Sequence, residues 1–315
     1  MNSFARDVKS ELARKEIKHP CCIEAEMKGF LEVGGQLLIN SGKKSLVFKT
    51  GSASIARRIF SLVKVCLNVT PAVIYGQRKE FQKDNIYFIQ APAEAKVLSL
   101  LARLGFLPGT TQETPEALQK KCCRRAYLMG AFLAGGSLNH PDREYHLEIV
   151  FPAEEYASRA RDILETFGLE TRFFQRKGSF VIYLKGGDTV GEFLRIVGAH
   201  QALFEYENVR VVKGIRNRTN RLVNYETANL TRTAFAAHEQ INNIKLIQEK
   251  IGLENIPSSL RQVARLRLRF PEETLNELGN KASPPLSKSS INHRMRRLKA
   301  LAHKASEKGK QSKKQ

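Results

Sequence analysis

Two stretches of the chain are copies of each other. Residues 21–37 read CCIEAEMKGFLEVGGQL and residues 122–138 read CCRRAYLMGAFLAGGSL. Seven of the 17 positions are identical without a gap: the cysteine pairs Cys21-Cys22 and Cys122-Cys123, then Ala25/Ala126, Gly29/Gly130, Gly34/Gly135, Gly35/Gly136 and Leu37/Leu138. Self-similarity at a period of 101 residues means duplication, and duplication dictates a fold built from two like halves.

The segments after each copy run in parallel. After the first come the apolar runs QLLIN and SLVFK around Ser41-Gly42, the helical pattern SIARRIFSLVKVCL, the runs AVIYGQ and NIYFIQ around a polar turn, and the helical stretch AEAKVLSLLARLG. After the second come SLN and EYHLEIVF, the helical EEYASRARDILETFG, then TRFFQR and SFVIYLK, and finally TVGEFLRIVG. β-branched and aromatic runs between turn signals read as strands, and 3.6-residue periodicity reads as helix. Each half is therefore helix, strand, strand, helix, strand, strand, helix. Gly29 and Gly130 fall inside the lead helices, where glycine costs about 1 kcal/mol against alanine; two helices that must touch backbone to backbone justify that cost. Gly34-Gly35 and Gly135-Gly136 fall at the helix ends, where glycine suits a C-cap.

Paired lead helices ending in Gly-Gly, each opening such a unit, resemble the LAGLIDADG homing endonucleases, with GAFLAGGSLN at residues 130–139 as the best piece. The resemblance covers about residues 20–200. In that motif a metal-binding carboxylate stands one residue before the final glycine. Here those positions are Gly34 and Gly135, and glycine has no oxygen ligand to offer Mg²⁺. Glu32 sits two residues short of the first position, turned well away around a helix. Metal-dependent cleavage is not expected. The seven histidines, at 19, 140, 146, 200, 238, 293 and 303, form no HExxH pair. No nucleophile elbow or phosphate-cradling glycine loop is present.

Charge points to a different activity. The chain carries 52 Lys and Arg against 31 Asp and Glu, a net charge of +21 over 315 residues. Such a balance calls for a polyanionic partner, nucleic acid first. No run of residues is apolar enough for a membrane span, and the charged N-terminus lacks the core of a signal peptide. The five cysteines are two adjacent pairs and Cys66. Adjacent pairs lack the two-residue spacers of a zinc set, so no metal and no cofactor are expected, and the thiols are expected to be reduced in the cytosol.

The C-terminal third reads as a separate helical domain. Residues 206–224 are basic, lose clear periodicity and are expected to be a linker. A long helix then carries Leu230, Phe235, Ile241, Ile244, Ile247 and Ile251. SSLRQVARLRLRF follows Pro257, and EETLNELG, the turn NKASPP and LSKSSINHRMRRLKALAHKAS come after it. In the last helix Ser287 is the expected N-cap. Ile291, Met295, Leu298 and Leu301 or Ala302 form one apolar face, and Lys288, Ser289, Asn292, His293, Arg296, Arg297 and Lys299 lie on the exposed one. A short helix, a turn and a helix with small polar residues at its start follow helix-turn-helix logic, in which the second helix reads base edges in the major groove. Residues 286–315 hold ten Lys or Arg and one Glu, a net +9. Residues 306–315 are expected to be a disordered basic tail.

A degenerate LAGLIDADG repeat followed by this helix-turn-helix resembles the WhiA family of bacterial regulators, through SFARDVKSEL, GAFLAGGSLN with EYHLEI, and TLNELG…PLSKSSINHRMRRL. The resemblance implies an α+β duplicated domain of two αββαββα units (1–205, with halves at about 20–105 and 121–200) and an all-α DNA-binding domain (225–305). It also implies a noncatalytic transcription regulator tied to cell division, chromosome segregation and, in spore formers, sporulation, placed in the cytoplasm at the nucleoid. The family's helix-turn-helix carries over to residues 274–304, which adds Thr274, Ser290 and Arg294 to the candidate DNA contacts. Double-stranded DNA is the expected partner, and a protein co-regulator is a further one. Internal pseudo-symmetry makes a monomer sufficient. Two alternatives stay open at this point: an adaptor whose repeat domain binds a protein, and a divergent endonuclease using acids such as Glu144 or Glu148.

Overall fold

The two lead helices set the architecture. In the computed structural model, which describes residues 3–16, 19–40, 43–77, 85–107 and 118–311, α2 (Pro20–Gly34) and α5 (Lys121–Gly135) are both 15 residues long and pack against each other. Gly29 and Gly130 allow this. A Cβ on Gly29 would lie 2.3 Å from the Tyr127 carbonyl oxygen, and one on Gly130 would lie 2.3 Å from that of Glu26. The helices meet backbone to backbone, as the repeat requires.

Each lead helix runs directly into a strand. β1 (Gly35–Asn40), β2 (Lys43–Thr50), α3 (Ala53–Leu67), β3 (Ala72–Gln77), β4 (Asn85–Pro92) and α4 (Ala95–Arg103) complete the first half. β5 (Gly136–Leu138), β6 (His146–Phe151), α6 (Glu154–Glu165), β7 (Arg172–Arg176), β8 (Ser179–Lys185) and α7 (Gly187–Val197) complete the second. The sheets are antiparallel, with orders β1-β2-β4-β3 and β5-β6-β8-β7. Their registers correspond: Gly35 pairs with Phe48 where Gly136 pairs with Ile149. The turn at Ser41-Gly42 and the polar turn between β3 and β4 lie outside the described residues.

Gly35 and Gly136 are the C-caps of α2 and α5, as expected, but neither adopts a left-handed conformation. Gly35 and Gly136 have φ of −75° and −76°, ordinary extended values. What excludes a side chain is space. A Cβ on Gly136 would meet the Phe132 ring at 2.1 Å, and one on Gly135 would meet Val33 Cγ1 at 2.4 Å.

A helix not expected as an element precedes the repeat. α1 (Phe4–Arg14) is capped by Ser3 and buries Phe4, Val8 and Leu12 at i, i+4 spacing, one stripe facing the core. The Glu11 carboxylate accepts hydrogen bonds from the backbone N–H groups of Gln201 and Ala202, at 3.0 and 2.9 Å. These are otherwise orphan donors at the start of α8 (His200–Lys250), where a carboxylate also suits the helix dipole.

α8 corrects the expected linker. Residues 206–224 belong to one uninterrupted helix of 51 residues. No proline interrupts them, and one-turn pairs such as Glu207–Arg210 (2.8 Å) support them. The lost periodicity reflects exposure: Val211, Val212, Ile215, Leu222 and Val223 are all exposed, so no buried stripe marks the sequence. The chain divides into compact units at residues 1–214 and 215–315.

In the second unit, α9 (Ser258–Arg269), α10 (Leu275–Asn280) and α11 (Lys288–Gln311) join the end of α8. Their core is Ile244, Ile247, Leu260, Val263, Leu278, Ile291, Met295, Leu298 and Ala302. Leu230 and Phe235, read above as part of the apolar pattern, are exposed. α11 continues through Gln311, so 306–311 are helical where a disordered tail was expected; 312–315 lie outside the described residues. None of the described helices is long and apolar enough to cross a membrane.

Candidate nucleic-acid interface and the degenerate motif

α10 and α11 form the helix-turn-helix. Thr274 begins α10 with a capping box: its hydroxyl accepts from the Glu277 N–H at 3.3 Å, and the Glu277 carboxylate accepts from the Thr274 N–H at 2.7 Å. The Thr274 hydroxyl is therefore engaged in starting the helix. Gly279 lets the turn close, since a Cβ there would lie 2.2 Å from the Leu286 carbonyl oxygen. Ser287 caps α11 as expected, accepting from the Ser290 N–H at 3.2 Å.

Burial divides the α11 candidates. Ile291, Met295, Leu298 and Ala302 are buried. At 100° per residue, Ser289, His293 and Arg296 lie opposite them. All three are exposed, as are Lys288, Arg297 and Lys299. Ser290, Asn292 and Arg294 are half-buried. Arg294 turns toward α9, donating to the Ser259 carbonyl and to Gln262 Oε1, both at 3.3 Å. Lys299 pairs with Glu239 at 2.5 Å. The outward face is thus Ser289, His293 and Arg296, flanked by Lys288 and Arg297.

Arg267, which the sequence reading passed over, holds this unit together. Its side chain is 2% exposed, and its guanidinium donates to the carbonyls of Phe270, Pro271 and Glu273. It clamps the loop between α9 and α10, and burial lowers its pKa. Arg267→Met keeps the stem but orphans the carbonyls. A loss of about 2–3 kcal/mol is expected in urea unfolding; an unchanged midpoint would show that water satisfies the loop equally well.

The ends of the lead helices hold the positions where the homing-endonuclease motif places its carboxylates. The end of α5 opens on a cleft of about 800 Å³ bordered by Leu133, Ala134 and Gly136 and by the cations Arg6, Lys9 and Lys49; none of its described lining residues is Asp or Glu. Burial lowers the Lys9 pKa to about 8. A cleft lined by cations and hydroxyls disfavours Mg²⁺ and suits an anion. Glu32, the nearest acid in α2, is 1% exposed and engaged by Lys28 (2.6 Å), by the Tyr127 hydroxyl (2.5 Å) and by Arg159. Glu26 is likewise buried, accepting from Arg58 Nε and Nη2, each at 2.8 Å. The other acids considered are placed elsewhere. Glu144 is exposed in the loop before β6. On β6, burial opposes ionisation of Glu148, but the His146 and Arg176 partners at 2.8 and 3.0 Å outweigh it and lower its pKa. The charged residues midway along α2 were a legible signal: Lys28 and Glu32 are four apart on a helix that its glycines mark as buried.

The cysteines also come together. Sequence spacing separates Cys21-Cys22 from Cys122-Cys123, yet the pairing of α2 with α5 brings all four sulfurs within 4.8 Å of one another.

Fold and site define the class: a duplicated LAGLIDADG-like domain without the motif's carboxylates, followed by a helix-turn-helix domain. Three family models match, for the WhiA N-terminal LAGLIDADG-like domain (residues 20–107), the WhiA LAGLIDADG-like domain (124–216) and the WhiA C-terminal HTH domain (219–302). The chain belongs to the WhiA family. It is 45% identical to the probable cell division protein WhiA of Heliobacterium modesticaldum, covering 98% of both chains, and 41% identical to that of Alkaliphilus metalliredigens, covering 95% and 97%. The crystal structure titled full-length DUF199/WhiA from Thermatoga maritima superposes with a TM-score of 0.59 at 28% identity, over 96% of this chain and 99% of that one.

Proposed function

We propose that the protein is a noncatalytic, sequence-specific DNA-binding regulator of cell division. The observation that carries this is the outward face of α11, where Ser289, His293 and Arg296 stand opposite the core residues of a capped helix-turn-helix. Serine and histidine make hydrogen bonds at base edges, arginine makes a bidentate contact with guanine, and Lys288 and Arg297 hold phosphates. The link to cell division rests on the relatives' name; chromosome segregation, sporulation and a nucleoid location follow from the family resemblance. The absence of catalysis is supported by glycine at both motif carboxylate positions, 34 and 135, by a cleft whose described lining holds no Asp or Glu, and by the engagement of Glu32 in a buried network. A protein co-regulator on the repeat domain is compatible with this reading.

The test uses the full chain and its preferred duplex, selected from genomic fragments. Arg296→Ala is expected to weaken specific binding by about 1–3 kcal/mol and to relax preference at one base pair. Arg297→Ala is expected to weaken all sequences alike and to reduce the salt slope by about one. Equal affinity of Arg296→Ala and the parent for the preferred duplex would refute the reading face. Nicking of supercoiled plasmid in Mg²⁺ or Mn²⁺ that co-purifies with the folded chain would refute the noncatalytic assignment.

A further inference from the structure

The duplication that placed a glycine on each lead helix also placed an adjacent cysteine pair at the start of each. Cys21 and Cys22 lie in the first turn of α2, and Cys122 and Cys123 in the first turn of α5. All four Sγ atoms lie within 4.8 Å of one another, with Cys122 and Cys123 at 3.9 Å. Four thiolates 2.3 Å from one tetrahedral Zn²⁺ stand about 3.8 Å apart. An iron–sulfur cluster interposes several irons and sulfides between its cysteines and needs them spread wider. The gathered sulfurs therefore match a single ion.

We propose that Cys21, Cys22, Cys122 and Cys123 form a structural tetrathiolate zinc site that joins the two halves of the repeat. On binding, Zn²⁺ displaces the four thiol protons to solvent, and the resulting centre carries a net charge of −2. The surroundings suit that charge. The first turns of two helices offer positive dipole ends, and the cleft that also contains Cys22 and Cys122 is lined by the three cations Lys15, Arg125 and Arg195 against one acid, Glu16. No other described group of three or more His, Cys, Asp or Glu residues has this geometry, and Cys66 lies apart from it. Spacing failed as a guide because each pair finds its partners 101 residues away, on the other copy of the same helix.

The experiment uses the full chain purified under reducing conditions and loaded with Zn²⁺ or Co²⁺. After gel filtration about one zinc per chain is expected, released by a mercurial that caps thiols. With Co²⁺ the expected spectrum shows the visible ligand-field and near-ultraviolet thiolate charge-transfer bands of tetrahedral cobalt–sulfur coordination. Cys21→Ser/Cys122→Ser changes the two less buried members; it is expected to remain folded by circular dichroism while losing both zinc and the cobalt bands. Cys66→Ser is expected to keep both. The proposal is overturned if the reduced, folded parent chain retains no zinc and develops no cobalt bands, as four redox-active or inert thiols would behave. It is equally overturned if the double serine variant retains the metal.

Discussion

Gly130→Ala is expected to destabilise the repeat domain by about 4 kcal/mol, a large loss for a single methyl group. The new Cβ would stand 2.3 Å from the Glu26 carbonyl oxygen and 3.1 Å from its carbon. These are backbone atoms of a buried helix, so no rotamer change relieves the overlap; α2 and α5 must separate. Separation opens the packing around Ala25, Met27, Ala126 and Ala131, all buried, and forfeits contacts along the whole pair. Gly34→Ala is the control, because its Cβ would lie 3.8 Å from Ala134 Cβ, ordinary contact distance. Urea unfolding should place Gly34→Ala within about 0.5 kcal/mol of the parent. Because alanine has the better helix propensity, a Gly130→Ala variant as stable as the parent or more stable would refute close approach as the reason for glycine at position 130.

Glu32→Ala is expected to cost about 3–5 kcal/mol. Glu32 is the centre of a buried network: it pairs with Lys28 at 2.6 Å, accepts from Tyr127 at 2.5 Å and meets Arg159. Burial already pushes the Lys28 pKa down despite Glu32. Without the carboxylate, Lys28 keeps its desolvation cost and loses its counter-charge, while the Tyr127 hydroxyl loses its acceptor. A double variant, Glu32→Leu with Lys28→Met, replaces the pair by apolar groups of similar volume and should recover a large part of the loss. No recovery would locate the effect in packing rather than in uncompensated charge.

Much of this architecture was legible because duplication leaves a signal that local patterns reinforce. The seven identities around Gly29/Gly130 and Gly34/Gly135 implied paired helices, and β-branched and aromatic runs between turn signals placed the strands after them. The helix-turn-helix was legible through Ser287, the spacing of Ile291, Met295 and Leu298, and the basic charge beyond them. Other features were hidden by physics that sequence spacing does not encode. Residues 206–224 hid as a linker because an exposed helix shows no apolar stripe. Arg294 is a candidate DNA contact through the family resemblance, but its angular position turns it toward Gln262. Arg267 looks like surface charge, and only the carbonyls of the α9–α10 loop show why it is buried. The cysteine quartet is invisible to any motif with short spacers, since helix pairing rather than chain proximity assembles it.

The most direct test of the central claim is which genomic DNA fragments the full chain retains at about 150 mM salt, where screening suppresses weak phosphate contacts. The parent should be compared with a folded Ser289→Ala/His293→Ala/Arg296→Ala variant. Selective retention of a small set of intact fragments, lost in the variant while weak uniform binding persists, is the expected result. An unchanged fragment set in the variant would contradict the assignment of α11 as the element that reads DNA.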